Sequence, residues 1–243
     1  MTHHRSEIVV GRLPVLACLS AGKRRASVLY MARQVNDVND ILERARGLPV
    51  ERVERQALDR IAGGVTHQGV ALRAEPLPVL ELDAWLDVNT SPGQAVVILD
   101  GLEDPQNFGA IARSAAACGV SGLLFTKDRS APITTAAMKA AAGGMEYIDL
   151  IQTTNLSRAL DQLKQARFWI AALEADAPRT IWDADLRGRM AFIIGGEGGG
   201  IRRLVRKRAD FTLAIPLVGA ITSLNASVSA GVVLAEWLRQ RQG

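Results

Sequence analysis

Three stretches of this sequence place residues that could do chemistry at telling intervals. The first reads Leu99-Asp-Gly-Leu-Glu-Asp-Pro-Gln-Asn-Phe-Gly-Ala-Ile-Ala-Arg. Asp104-Pro105 halts the preceding strand, and Asn107 is a helix N-cap candidate with Gly109 beside it. Arg113 follows as the one basic residue on a helix otherwise built of Ala, Ile, Cys, Gly109 and Ser114. Its charge does not titrate away, so it must find an anion or a carboxylate. The second stretch, Phe192-Ile-Ile-Gly-Gly-Glu-Gly-Gly-Gly-Ile-Arg-Arg, sets glycines around Glu197, the one side chain among them able to hydrogen-bond. Glycines let a backbone turn sharply and approach a ligand closely. A dinucleotide fingerprint is not encoded, because no start at Gly195, Gly196 or Gly198 completes G-x-G-x-x-G and no acid ends a following strand about 20 residues on. The third stretch is Ile215-Pro-Leu-Val-Gly-Ala-Ile-Thr-Ser-Leu-Asn-Ala-Ser-Val-Ser. A strand breaks at Pro216 and a helix opens near Ser223. Asn225, Ser227 and Ser229 are unfavourable inside a helix, so they either cap it or answer to a ligand or another segment.

The elements that must position these stretches alternate. Ala95–Leu99 and Gly122–Thr126 read as buried strands, with a helix over Gly109–Cys118 between them and another over Thr135–Ala142. Further along come Asn155–Arg167 (helix), Trp169–Leu173 and Met190–Ile194 (strands), Gly200–Arg208 (helix), Thr212–Ile215 (strand) and Ser223–Gln240 (helix). Strands alternating with helices predict an α/β fold, a mainly parallel sheet covered on both faces. Ligands of such sheets settle at the carboxyl ends of strands, where all three stretches fall. Before residue 76 the reading is again α/β: strands at Glu7–Gly11, Ser27–Met31 and Gly69–Arg73, helices at Leu13–Ser20 (closed by Gly22) and Val35–Arg46.

Composition sets the frame. The chain has 243 residues, 48% apolar and 22% charged, which excludes a disordered tail, a collagen-like fibre and a coiled coil. Its net charge is +4, a mild basic bias compatible with a polyanionic partner. Residues 76–92 carry Pro76, Pro78 and Pro92 with Glu81, Asp83 and Asp87 and no Lys or Arg, the composition of a linker with one helical turn around Leu82–Leu86. Two domains of sequence follow, 1–75 and 93–243, joined by the linker 76–92. Lys23-Arg24-Arg25 and the Arg202–Arg208 run are candidate polyanion contacts. Cys18 and Cys118 fit no metal or redox spacing, so no metal is expected and a reducing cytoplasm is. The opening Met1-Thr-His-His-Arg-Ser-Glu lacks the apolar core of a signal peptide. The apolar stretch Leu213–Leu238 is broken by Pro216, Ser223, Asn225 and Glu236, so no membrane span is expected.

In this order and spacing, Asn107…Arg113, Gly195-Gly-Glu-Gly and Ser223-Leu-Asn resemble the three motifs of the SpoU (TrmH-like) branch of the SPOUT RNA methyltransferases. Thr66-His-Gln-Gly-Val-Ala-Leu and Lys127-Asp-Arg-Ser-Ala extend the resemblance over nearly the whole chain. It implies an N-terminal α/β domain (1–75) similar to ribosomal protein L30e that grips RNA. It also implies a C-terminal α/β domain (93–243) with a deep trefoil knot, an exception to ordinary topology. A homodimer follows from the same resemblance, with S-adenosyl-methionine held in the knot by Gly195, Ile215 and Leu224 and the wall completed by Glu197, Leu217, Ser223 and Asn225.

The implied reaction is methylation of a ribose 2′-hydroxyl, most directly on a guanosine of large-subunit ribosomal RNA, with a tRNA ribose or a non-catalytic RNA-binding role as rivals. Arg113, Asn107 and Glu197 are the implied catalytic set. Arginine is a poor base, its pKa exceeding about 12. Arg113 therefore either clamps the neighbouring phosphate and stabilises developing alkoxide, or is a true base with a strongly depressed pKa.

Overall fold

The computed structural model describes residues 6–89, 91–128 and 133–242. The opening residues 1–5, and Arg129, Ser130 and Ala131 of the Lys127-Asp-Arg-Ser-Ala segment, lie outside that range. The chain divides into two compact units, one of residues 6–78 with Ala142–Tyr147, the other of Val79–Ala141 with the residues from Ile148 onward.

In the first unit the elements run β1 (Glu7–Val10), α1 (Arg12–Ala21), β2 (Ala26–Ala32), α2 (Asn39–Arg44), β3 (Val50–Val53), α3 (Arg55–Ile61) and β4 (Val70–Ala74), with a 3-10 turn at Gly144–Glu146. The sheet order is β1-β4-β2-β3. β4 is antiparallel to β1 and β2, and β3 runs parallel to β2. Side chains alternate across a strand, so β2 serves two cores. Leu29 and Met31 pack with Val15, Cys18 and Ile41, while Tyr30 and Ala32 pack with Leu58. The α2 helix is shorter than the predicted Val35–Arg46 because Asp37 takes a left-handed conformation (φ 54°). His67 is buried and holds the turn before β4, its Nδ1 accepting from Gly69 N–H and its Nε2 lying 2.9 Å from Asp59 Oδ1.

Arg24 overturns one expectation. The middle of the basic triplet is buried, donating to Glu7 Oε2 at 3.2 Å, to the Glu75 carbonyl at 3.0 Å and to Glu146 Oε1. Burial works against its charge, yet the Glu146 carboxylate outweighs burial and the guanidinium pKa stands above its ordinary value. Such a group is structural and cannot meet a solvent-borne polyanion. Burial first, and then the Glu146 charge, push the Cys18 thiol up as well.

The second unit is built from β5 (Val79–Glu81), α4 (Leu82–Val88), β6 (Ala95–Asp100), α5 (Pro105–Ala117), β7 (Gly122–Thr126), α6 (Thr135–Ala141), β8 (Asp149–Thr153), α7 (Leu156–Gln165), β9 (Trp169–Leu173), β10 (Met190–Gly195), α8 (Arg203–Arg206), β11 (Phe211–Leu213) and α9 (Ala226–Gln242). The strands form one sheet in the order β11-β9-β10-β6-β7-β8-β5, every adjacent pair parallel. The α/β expectation holds here. β6 is buried at every position, as a strand covered on both faces must be. Val96 and Ile98 face a core shared with Trp85 of α4 and Leu160 and Leu163 of α7. Phe108 of α5 meets Phe125 edge-on, and Phe192 meets Trp237 of α9.

The segment expected to be a linker with one helical turn around Leu82–Leu86 contains β5, an edge strand paired with β8, and, where that turn was expected, the helix α4. Trp85 is fully buried and its Nε1–H donates to Asp149 Oδ2 at 3.1 Å. Only Leu82 and Trp85 of α4 are buried, which is why the composition of the segment resembles exposed chain.

Candidate active site

The site grows from the carboxyl ends of β6, β9, β10 and β11. Asp104, not Asn107, caps α5: its carboxylate accepts from Gln106 N–H at 2.9 Å and Asn107 N–H at 3.3 Å, with Pro105 supplying the first helical residue. Asn107 therefore sits inside the first turn, buried, with its side chain free to act elsewhere. Gly109 is required by packing, since a Cβ there would lie 2.2 Å from the Ala137 carbonyl oxygen of α6.

The glycine loop leaves β10 and folds back on the end of β6. Gly196 N–H donates to Asp100 O at 2.9 Å, and a Cβ on Gly196 would come within 1.9 Å of Gly101 O. The fully buried Asp100 carboxylate holds the far end of the loop, accepting from Arg202 N–H at 2.8 Å and Arg202 Nε at 2.6 Å. An unpaired carboxylate at that depth would be costly, so the pair fixes where the loop ends. Sequence reasoning quoted Asp100 but gave it no role, because nothing local pairs it with a residue so far along the chain.

The final helix begins at Ala226, later than the expected Ser223, leaving 216–225 exposed and outside helix and strand. Asn225 caps it: Oδ1 accepts from Ser227 N–H at 2.8 Å, from the Ser227 hydroxyl at 2.6 Å and from Val228 N–H at 3.4 Å. Its Nδ2 donates to Glu197 Oε1 at 3.2 Å, and Asn107 Nδ2 donates to the same oxygen. One carboxylate oxygen thus joins all three stretches.

A cavity of about 760 Å³ lies against this junction. Gly195, Glu197, Ile215, Leu217, Ser223, Leu224 and Asn225, seven of the nine candidate residues, line it. Glu174 and Asp176, which sequence reasoning missed, line it too. Their signal was position, immediately after β9 at its carboxyl end. Glu174 pairs with Arg206 at 3.4 Å. Asn107 reaches the cavity wall only through Glu197. Arg113 does not line the cavity; it is exposed on α5 and has no hydrogen-bond or ion-pair partner among the described residues. The basic run 202–208 is largely committed internally, Arg202 to Asp100, Arg206 to Glu174 and Arg208 to Asp161 at 3.2 Å. Of its expected polyanion contacts, Arg203 and Lys207 stay without a partner among the described residues.

The sequence and the fold are both similar to those of known proteins. Residues 94–235 match the SpoU rRNA Methylase family, and residues 8–80 match RNA 2′-O ribose methyltransferase substrate binding. The chain belongs to the SpoU rRNA methylase family. A close relative is the 23S rRNA (guanosine-2′-O-)-methyltransferase RlmB of Xylella fastidiosa (strain 9a5c), 44% identical over 206 residues, which are 83% of this chain and 83% of that protein. The fold is similar to the crystal structure of an RNA 2′-O ribose methyltransferase (TM-score 0.82, 26% identity, covering 99% of this chain and 90% of that one). It is also similar to that of the SpoU methyltransferase AviRb from Streptomyces viridochromogenes in complex with AdoMet (TM-score 0.81, 22% identity, 98% and 91% covered).

Proposed function

We propose that this protein transfers a methyl group from S-adenosyl-methionine to the ribose 2′-hydroxyl of a guanosine in 23S rRNA. The observation that carries the reading is the convergence of three separate stretches on Glu197 at the wall of one cavity, in a chain so similar to an RlmB. The cavity suits the methyl donor chemically. Its acids Glu174, Asp176 and Glu197 face one cation, Arg206, an excess of negative charge that favours a sulfonium and an ammonium. Leu173, Ile194, Leu213 and Leu224 offer apolar walls for a purine ring.

When bound, S-adenosyl-methionine supplies an electrophilic methyl carbon whose sulfur leaves with the bonding electron pair as a neutral thioether. The chain's own residues do the rest by positioning, which can lower such a barrier substantially. Gly195, Ile215 and Leu224 hold the adenosine part, and Leu217, Ser223 and Asn225 complete the wall. Glu197 keeps the Asn107 and Asn225 amides oriented. Arg113 clamps the phosphate beside the reacting ribose and stabilises the oxygen as it loses its proton to water or a phosphate oxygen. Its freedom from hydrogen-bond and ion-pair partners among the described residues supports the clamp.

Residues 6–78 serve as an L30e-like RNA-binding domain and the second unit as the knotted catalytic domain, a division supported by the two family matches. The protein works as a homodimer, supported by the apolar Val218, Ile221 and Val228 exposed beside the cavity segment. No helix among the described residues is long and apolar enough to cross a membrane.

The test is to incubate purified protein with methyl-labelled S-adenosyl-methionine and a 23S rRNA transcript, then digest the RNA to nucleosides. Label is expected in 2′-O-methylguanosine. Label on a base, or none, would refute the reading, and label appearing only on tRNA would move the substrate to the rival class.

A further inference from the structure

The second unit holds another cavity, about 490 Å³, at the carboxyl ends of β7 and β8. Its lining includes Arg202 and Arg203, which directly follow Ile201 in the wall of the first cavity. Buried Leu156 and Val205 give it an apolar part. Asn155 spends its Oδ1 on capping α7, accepting from Arg158 N–H at 3.1 Å, which leaves its amino group uncommitted. Two opposite charges also line the cavity, the exposed Asp128 and Arg203. Among the described residues neither side chain has a hydrogen-bond or ion-pair partner, and they do not pair with each other.

That combination selects a ligand chemistry. A bare phosphate would be repelled by Asp128, and an ammonium by Arg203. A planar base with donors on one edge and acceptors on another uses both. Guanine has that pattern: its N1–H and 2-amino group suit a carboxylate, and its O6 and N7 suit an arginine fork. The volume lies within the usual range for small-molecule pockets, about 300–1,000 Å³. Unstacked bases are read this way in RNA, on their Watson–Crick and Hoogsteen edges.

We propose that this second cavity takes the guanine base of the nucleotide whose ribose is methylated. Asp128 accepts from N1–H and the 2-amino group, and Arg203 donates to O6 and N7. The assignment rests on the function proposed above and adds what that chemistry lacks. A ribose hydroxyl is the same on every nucleotide, so the preference for guanosine has to be read on the base.

The experiment compares methylation, by the full chain, of two synthetic 23S rRNA fragments carrying guanosine or inosine at the modified position; inosine lacks only the 2-amino group. Wild-type protein is expected to favour guanosine by about ten- to a hundredfold in kcat/KM. Asp128→Ala should bring that ratio close to one by slowing the guanosine fragment. Arg203→Met should slow it too, and both variants should bind S-adenosyl-methionine with wild-type affinity, which shows that they fold. Equal use of the two fragments by wild-type protein, or a ratio unchanged in Asp128→Ala, would overturn the proposal while leaving the methyl-transfer reading intact. If Arg203→Met weakened binding of every RNA alike and inosine were used as well as guanosine, the cavity would be a phosphate contact. Absence of methyl transfer to any RNA by wild-type protein would instead remove the function on which the proposal stands.

Discussion

Buried charge around Arg24 and open charge at the carboxyl end of the large sheet follow opposite rules. In the first unit the buried Arg24 guanidinium pairs with Glu7 and Glu146, and the buried His67 lies against Asp59. In the second unit the fully buried Asp100 carboxylate, held by the exposed Arg202, fixes the glycine loop, while Arg113, Asp128, Asp176 and Arg203 stand without partners among the described residues. Charges that close on each other hold a fold together; charges left open at the ends of parallel strands are available to a substrate.

The contrast breaks first at Arg24. Arg24→Met leaves the Glu146 carboxylate buried without its cation and is expected to cost about 3–5 kcal/mol of stability by denaturant unfolding. The double variant Arg24→Met/Glu146→Met should recover much of that loss, because no uncompensated charge remains. Arg113→Ala is the mirror case. Unfolding should move by no more than about 0.5 kcal/mol, since the side chain touches nothing that holds the fold, while single-turnover methyl transfer falls by about a hundred- to a thousandfold. Arg113→Lys sharpens it further, for near-normal turnover would rule out a bidentate clamp. Asn225→Ala removes a helix cap worth about 1 kcal/mol and leaves Glu197 held by Asn107 alone. It should lower the melting temperature modestly and weaken S-adenosyl-methionine binding, a mixed outcome that neither class alone gives.

The smallest effect lies at an exposed pair. Hydrogen bonds from Arg187 hold the Asp185 carboxyl down at about 2. Its folded value lies below the unfolded one, so whatever the pair contributes is present above the ordinary carboxylate range and lost as pH falls toward 2. Carbon NMR titration should find that midpoint, and Arg187→Ala should return it to the usual range.

Much of this was legible in the sequence where the signal is local. β9 matches its expected bounds, and Gly22 ends α1 in the left-handed conformation that a C-cap glycine favours. The three motifs were visible because glycine, proline and isolated polar residues break apolar patterns. What stayed hidden is long-range. Nothing near Arg24 in the sequence announces Glu146 as its partner, so a buried cation looked like surface. Val79–Val88 read as linker with a single helical turn around Leu82–Leu86, because an edge strand and a helix with only two buried residues carry little periodicity. Asn107 looked like a cap because Asp104 and Asn107 are both good caps, and only the backbone geometry chooses between them.

The account rests on the first cavity being a methyl-donor site closed by the glycine loop. Calorimetric titration of S-adenosyl-methionine into wild-type protein and into Gly196→Ala tests it most directly, because a methyl at that position would collide with the Gly101 carbonyl and push the loop off β6. Saturable binding of one molecule per wild-type chain, abolished or sharply weakened in a Gly196→Ala protein that still unfolds cooperatively, is the predicted result. No binding by the wild type, or equal binding by both, would contradict it.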